Sequence, residues 1–179
     1  MLKKTLLIVV VVLAAFAAFV ATRPADFSIT RSATIAAPPA KVFTLVNDMH
    51  QWNVWSPWAK LDPDMKTTYD GPAAGVGAAE SWDGNGRVGA GKMTVVTSVP
   101  AREIGIQLEM LKPMHDTNAV DFTFSPEGRG TVVTWSMTGQ KNFVAKAFSV
   151  FMSMDKMVGG EFESGLANLK AVAEAPTKK

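Results

Sequence analysis

Few side chains in this sequence can do acid–base, nucleophilic or metal chemistry, and their types limit what that chemistry could be. There is no cysteine, and histidine occurs only at His50 and His115. A thiolate zinc site, a Cys nucleophile, disulfides and a His-rich metal centre are therefore excluded. Carboxylates fall in strand-like stretches at Glu80, Glu103, Glu109 and Asp121. Alternation sets Glu103 and Glu109 opposite the Ile104–Met110 row and Asp121 opposite Phe122, so these three are expected to face water. Glu80 shares its side with Trp82. If Trp82 turns inward, Glu80 does too, and a carboxyl in an apolar cavity has a raised pKa and can act as a general base. The plainer reading of Glu80 is an edge-strand residue in water. His115 begins a strand and could border a pocket, whereas His50 reads as a solvated loop residue. Glu80 and His115 are thus the two weak candidates for catalysis. Asp62, Asp64 and Asp70 lack the ligand spacing of a calcium loop and read as turn and cap residues. The Gly-x-Gly pairs at Gly75, Gly84 and Gly89 have no following helix to hold a phosphate, so they read as bends. No metal and no cofactor is expected.

The elements that must position these residues follow from period. Phe27 to Ala36 alternates and predicts a strand. Pro38-Pro39 ends it, and Ala40 to Val46 then predicts a short helix. Asn47 to Trp58 carries Trp52, Trp55 and Trp58, with at most one helical turn ending near Trp55 because Pro57 biases Ser56 away from helix. Strands are expected at 65–69, 77–82, 92–99, 102–111, 118–124 and 131–138. The Asp83-Gly84-Asn85-Gly86 turn and the loop from Pro126 to Gly130 join neighbours, so the sheet is antiparallel. Asn142 can cap a helix. Beyond it Phe148, Phe151, Val158, Phe162, Leu166 and Leu169 form one apolar stripe over about eight turns. Gly159-Gly160 interrupts that stripe as a candidate kink. Helices at the ends and strands between give an α+β layer.

Residues 6–21 read LLIVVVVLAAFAAFVA, without a polar or charged side chain. With Thr5, about 17 residues reach the lower limit for spanning a bilayer. Two readings stay open: a retained anchor, which is favoured, and a cleaved signal peptide with Ala15-Phe16-Ala17 as its small-x-small site. The N-terminal amine, Lys3 and Lys4 precede the run tightly, and Arg23 and Arg31 follow it loosely. The positive-inside rule then leaves the N-terminus cytoplasmic and the domain extracytoplasmic, periplasmic if the cell is bacterial. The expected organisation is an anchor at 1–22, a linker at 23–26, one domain at 27–175 and a disordered tail at 176–179. Lys and Arg number 18 against 16 Asp and Glu, a net charge of +2. That balance, with the basic residues scattered, argues against nucleic acid as a partner.

Several short motifs, in order, carry a family resemblance. They are Arg31-Ser32 with Ile35-Ala36-Ala37-Pro38, Val42-Phe43, Val46-Asn47-Asp48, and Trp52 through Trp55-Ser56-Pro57-Trp58. Asp62-Pro63, Tyr69-Asp70-Gly71-Pro72, Gly75-Val76-Gly77-Ala78 and Ser81-Trp82 follow, then Gly130-Thr131 to Trp135, Met152 to Gly159, and Phe162 to Lys170. Residues 27–174 so read resemble the START-like (SRPBCC) superfamily in its polyketide cyclase/dehydrase-like branch. The resemblance implies a helix-grip fold: a curved antiparallel sheet of six to seven strands wrapped on a long C-terminal helix. It also implies a cavity between sheet and helix for hydrophobic small molecules. It carries over no catalytic motif, and a fold does not fix a site.

On that reading the cavity would be lined by Trp55, Trp82, Met110, Phe122, Trp135, Met137, Phe148, Met152 and Phe162. Ten methionines suit an adaptable binding surface, and they suit a solid core equally. The Trp52–Trp58 cluster could stack on a ligand or sit at a membrane interface, or simply pack the short helix onto the sheet. Three functions follow. The leading one is a membrane-tethered binding module for a hydrophobic or lipid-like molecule. The second is an enzyme of cyclase or dehydratase type using a cavity acid or base. The third is a module that holds a partner protein at the membrane, which would show a solid core and an exposed apolar patch at Trp52–Trp58.

Overall fold

Alternation of polar and apolar residues from Asp26 onward becomes seven strands in the computed structural model, which describes residues 2–176. They are β1 Asp26–Ile35, β2 Lys66–Asp70, β3 Ala79–Asp83, β4 Ala90–Val99, β5 Glu103–Lys112, β6 Asp116–Glu127 and β7 Gly130–Gln140. The sheet runs β1-β7-β6-β5-β4-β3-β2, with every neighbouring pair antiparallel. Register breaks between Ala90 and Gly91 and between Val95 and Thr97 bend β4, as bulges do where a sheet must curve.

Helices occupy the remaining segments: α1 Leu2–Ala21, α2 Pro39–Asn47, α3 Trp52–Trp55, α4 Trp58–Leu61, α5 Phe143–Phe151 and α6 Met154–Glu174. A 3-10 turn at Met49–Gln51 links α2 to α3. The inward rows of the sheet include Ile104, Ile106, Phe122, Phe124, Val133 and Trp135, and α6 covers them with Phe162, Leu166, Leu169 and Ala173. This is the helix-grip arrangement. The close approach of α6 depends on Gly165, where a Cβ would lie 2.7 Å from the Trp135 ring and 3.1 Å from Pro57.

Polar contacts fix the ends of α6. Arg31 on β1 reaches Asp155 at 3.0 Å and Glu163 at 2.6 Å. Further along, Lys170 Nζ donates to the Thr34 carbonyl at 2.7 Å, and the Ala36 amide donates to Glu174 Oε1 at 2.6 Å.

The C-terminal stripe is not one helix kinked at Gly159-Gly160. The chain breaks at Met152-Ser153, where Met152 is extended and Ser153 Oγ accepts from the Lys156 amide to start α6. Both glycines lie inside α6, and the Arg31 guanidinium fills the space beside Gly159 that a side chain would occupy. Asn142 does cap α5, accepting from the Ala145 amide at 2.9 Å.

The N-terminal helix α1 is long and apolar enough to cross a membrane. Its last turns touch the domain: Val20 is buried and Phe16 stacks on Phe151. Of the expected tail, residues 177–179 lie outside the described residues.

Candidate ligand cavity

The space between sheet and α6 divides into two parts. At the Ile35 end of β1 it is solid: α2 and the last turns of α6 pack there on Ile104, Phe124 and Val133. At the Phe27 end it opens into a cavity of about 320 Å³, within the range of small-molecule sites. Leu108 and Met110 of β5, Asn118 and Val120 of β6, and Trp135 and Met137 of β7 form one wall. Met154, Val158 and Phe162 of α6 cover it, and Trp52, Trp58, Met65 and Trp82 close the side. Phe27 and Asp116 also border a shallower cleft at the same strand ends, lined mostly by the outward residues Thr117, Ala119, Thr138 and Gln140.

Backbone geometry sets the aromatic walls. Gly91 lies opposite Trp82 in the ladder, and any Cβ there would strike the indole at 2.5 Å. Trp82 Nε1 donates to the Val88 carbonyl at 3.2 Å, which holds the ring over β4. Trp135 is stacked between Phe122, at 4.8 Å, and Phe162, at 4.1 Å. Trp52 and Trp55 each spend their indole N–H on a carbonyl of α2, Val46 at 2.8 Å and Leu45 at 3.0 Å.

Three residues that line this space each carry a buried polar atom with no hydrogen-bond partner among the described residues: Glu80 Oε2, Asn118 Oδ1, which sits against Gly139 of β7, and Trp135 Nε1. Buried polar groups are nearly always paired, and leaving one unpaired costs about 1–3 kcal/mol. Glu80 is 4% exposed, and burial pushes its carboxyl up to about 7. Its register partner Tyr69 is also raised, first by burial and then by the Glu80 charge.

Of the cavity residues expected from sequence, Trp82, Met110, Trp135, Met137 and Phe162 line this space. Trp55 and Phe122 are buried but lie behind the wall, in contact with Trp135. Phe148 and Met152 are elsewhere: both are exposed, because α5 leaves the line of α6 at the Met152-Ser153 break. Glu80 points inward with the cavity, whereas His115 is exposed in the turn between β5 and β6. Glu103 is exposed, and neither Glu109 nor Asp121 lines the cavity. The Asp62 carboxylate accepts from the Asp64 and Asn85 amides, tying α4 to the β3–β4 turn. In the Trp52–Trp58 segment Trp52 and Trp55 are buried, Trp58 is half-buried and Val54 is exposed.

Sequence reasoning misses Asn118, although the signal is there. It keeps phase with Val120, Phe122 and Phe124, so a polar residue in an inward row should face the interior. Trp52, Trp58, Met154 and Val158 are further wall residues brought in by tertiary packing.

A family model described as polyketide cyclase / dehydrase and lipid transport matches residues 26–174. The chain belongs to that family. Solved structures share its fold at low sequence identity. Protein CV1439 from Chromobacterium violaceum is 14% identical, with a TM-score of 0.62 over 83% of this chain and 98% of that one. The Aha1 dimer from Colwellia psychrerythraea is 17% identical, with a TM-score of 0.61 over 85% and 99%. The di-domain ARO/CYC BexL from the BE-7585A biosynthetic pathway is 19% identical, with a TM-score of 0.62 over 88% of this chain and 53% of that one. At these identities the likeness concerns the fold. Among curated proteins, none matches the sequence.

Proposed function

We propose that this family member is a membrane-tethered binding module for a hydrophobic or lipid-like molecule carrying a few polar groups. The observation that carries this reading is the cavity itself: about 320 Å³, walled by aromatic and Met side chains, with three of its lining residues, Glu80, Asn118 and Trp135, each holding a buried polar atom in reserve. Trp135 Nε1–H offers a donor, Asn118 Oδ1 an acceptor, and Glu80 either, according to its protonation. An alkane would leave all three unsatisfied. A molecule with a hydroxyl and a carbonyl on an apolar frame would satisfy them.

The tether is α1, retained as a single span. Lys3 and Lys4 in its first turn, ahead of the apolar run, and the looser Arg23 after it favour the N-terminus in the cytoplasm and the cavity domain outside, in the periplasm of a bacterial cell. The cavity lies at the Phe27 end of the sheet, and Phe27, one of its lining residues, follows directly on the linker that leads to the span. That placement suits exchange of a lipid-like molecule with the bilayer.

Native mass spectrometry of the full chain released from mild detergent, with organic extraction of the same sample, tests the reading. A bound molecule of lipid size with hydroxyl or carbonyl groups is expected. A cavity found empty in every preparation, with nothing recovered on extraction, overturns it.

Glu80 supports a second reading, an enzyme of cyclase or dehydratase type. A carboxyl buried in a ligand cavity and poised near neutral pH is the form a general acid or base takes. Of the two candidates only Glu80 lines the cavity, where Arg87 and Asp116 are the other ionisable side chains, and His115 lies outside it. Turnover of the extracted molecule by the wild type but not by Glu80→Gln would favour this reading.

A further inference from the structure

Helix α5 has no place in the core. None of its residues Phe143–Phe151 is buried, and its apolar side chains point outward. Val144, Phe148 and Phe151 recur at steps of four and three, which sets them on one face of the helix, and the exposed Met152 follows directly at its end. Phe148 is 60% exposed and Phe151 77%. Lys146 and Ser149 fall on the opposite face. A soluble domain seldom leaves such a stripe bare, since contiguous exposed apolar surface marks a binding or membrane face.

What covers the stripe is indicated by its neighbour. Phe16 of α1 stacks on Phe151, with ring centroids 6.0 Å apart and planes at 30°. Phe16 stands five residues before the end of α1. At a rise of 1.5 Å per residue, that is about 7–8 Å inside the span. Helices lying in a membrane interface sit about 5–10 Å into the boundary of headgroups and acyl chains. A bilayer that takes up α1 therefore also reaches the apolar face of α5. Basic groups occur where headgroups would be: Lys141 just before α5, Lys146 on its polar face, and Arg23 with its guanidinium 5.5 Å from the Phe19 ring.

We propose that α5 is an interfacial helix that lies in the outer leaflet beside α1, its Val144–Phe148–Phe151 face in lipid. The proposal rests on the tether reading and adds a second, in-plane contact to it. Two contacts fix the domain's tilt where one flexible linker would not. They also hold the cavity against the membrane, because the chain passes from Met152 directly to Met154, which lines the cavity. Lipid is then the immediate neighbour of the cavity mouth.

The absence of native cysteine allows a direct test on the full chain. Single substitutions Val144→Cys and Phe148→Cys, with Val12→Cys in the span and Lys66→Cys on the far edge strand, are spin-labelled in phosphatidylcholine/phosphatidylglycerol vesicles. Collision with oxygen is then compared with collision with a water-soluble nickel chelate. Labels at 144 and 148 are expected to favour oxygen, close to the label at 12 and opposite to that at 66. Labels at 144 and 148 that favour nickel while 12 favours oxygen overturn the interfacial helix and spare the tether. Labels at 144 and 148 shielded from both reagents mean that protein covers α5, and they overturn it too. If the label at 12 itself favours nickel, the tether falls and the proposal with it.

Discussion

Trp135 and Phe162 stack with ring centroids 4.1 Å apart and planes 10° from parallel, so the strand wall of the cavity and the helix that covers it meet in one aromatic pair. Both side chains are buried. Phe162→Ala would remove that pair and leave a void that the sheet cannot close, because Trp135 is held on its other face by Phe122. A loss of about 3–5 kcal/mol is expected, read as a shift in denaturant midpoint without a change in secondary structure.

The two glycines of α6 that lie five residues apart should respond in opposite directions. Ala in place of Gly gains about 1 kcal/mol of helix propensity at either site. At Gly160 a Cβ meets nothing within 4 Å, so the gain stands and Gly160→Ala stabilises. At Gly165 the Cβ would press on Trp135 at 2.7 Å, and that ring is pinned in the aromatic cluster. Overpacking costs about 1–3 kcal/mol, so Gly165→Ala is expected to be destabilising on balance. Thermal unfolding of the two variants side by side checks the sign of each.

Glu80 should make stability depend on pH. Its carboxyl is held at about 7 in the fold, against an ordinary value of 4.5, because burial disfavours the charged form. A group raised in the fold contributes its full stability below about pH 4.5, and the contribution is lost as pH rises to about 7. At 1.36 kcal/mol per unit the loss amounts to roughly 3 kcal/mol. Glu80→Gln should abolish this slope between pH 4.5 and 7 and leave the variant more stable than wild type at pH 8. Denaturant titrations of both proteins at pH 5 and pH 8 measure it.

The sheet and the apolar N-terminal helix are legible in the sequence because each rests on a period or a run that packing does not alter. Ile104–Met110 and Val133–Met137 alternate, and their inward rows are the rows seen. The break at Met152-Ser153 is not legible. Phe148, Phe151, Val158 and Phe162 keep helical spacing across it, so the stripe reads as continuous although two helices carry it in different directions. The stripe therefore predicts Phe148 and Met152 in the cavity, and the structure places both outside it. Trp55 and Phe122 show a different limit. Periodicity indicates that a side chain faces inward, but not whether it meets a void or a neighbour. Only the assembled packing separates the solid Ile35 end from the open Phe27 end.

Filling the cavity should remove its ligand and keep the fold. Val158 is half-buried on the cavity side of α6, and Leu108 faces it from the sheet side of the same cavity. Val158→Trp would put an indole into space that the wild type leaves open, where overpacking strain is least. Co-purified ligand is expected to fall by about tenfold or more, the equivalent of about 1.4 kcal/mol or greater, with circular dichroism unchanged. Retention of wild-type ligand levels by Val158→Trp would move the binding site elsewhere.

Orientation gives a test that no property of the cavity can confuse. Lys66 opens the edge strand β2 and is exposed, and the chain has no cysteine to compete with an introduced one. Lys66→Cys should react with a membrane-impermeant maleimide added to intact cells, as the positive flank before α1 requires. Labelling seen only after lysis would place the domain in the cytoplasm. The charge asymmetry is narrow, so moving it should move the protein. Replacing Lys3 and Lys4 with Gln while adding two Lys beside Arg23 would reverse the bias, and a fraction of the thiols introduced by Lys66→Cys should then become unreactive in intact cells. A domain that keeps its side through that exchange would show that its orientation is set by something other than the flanking charges.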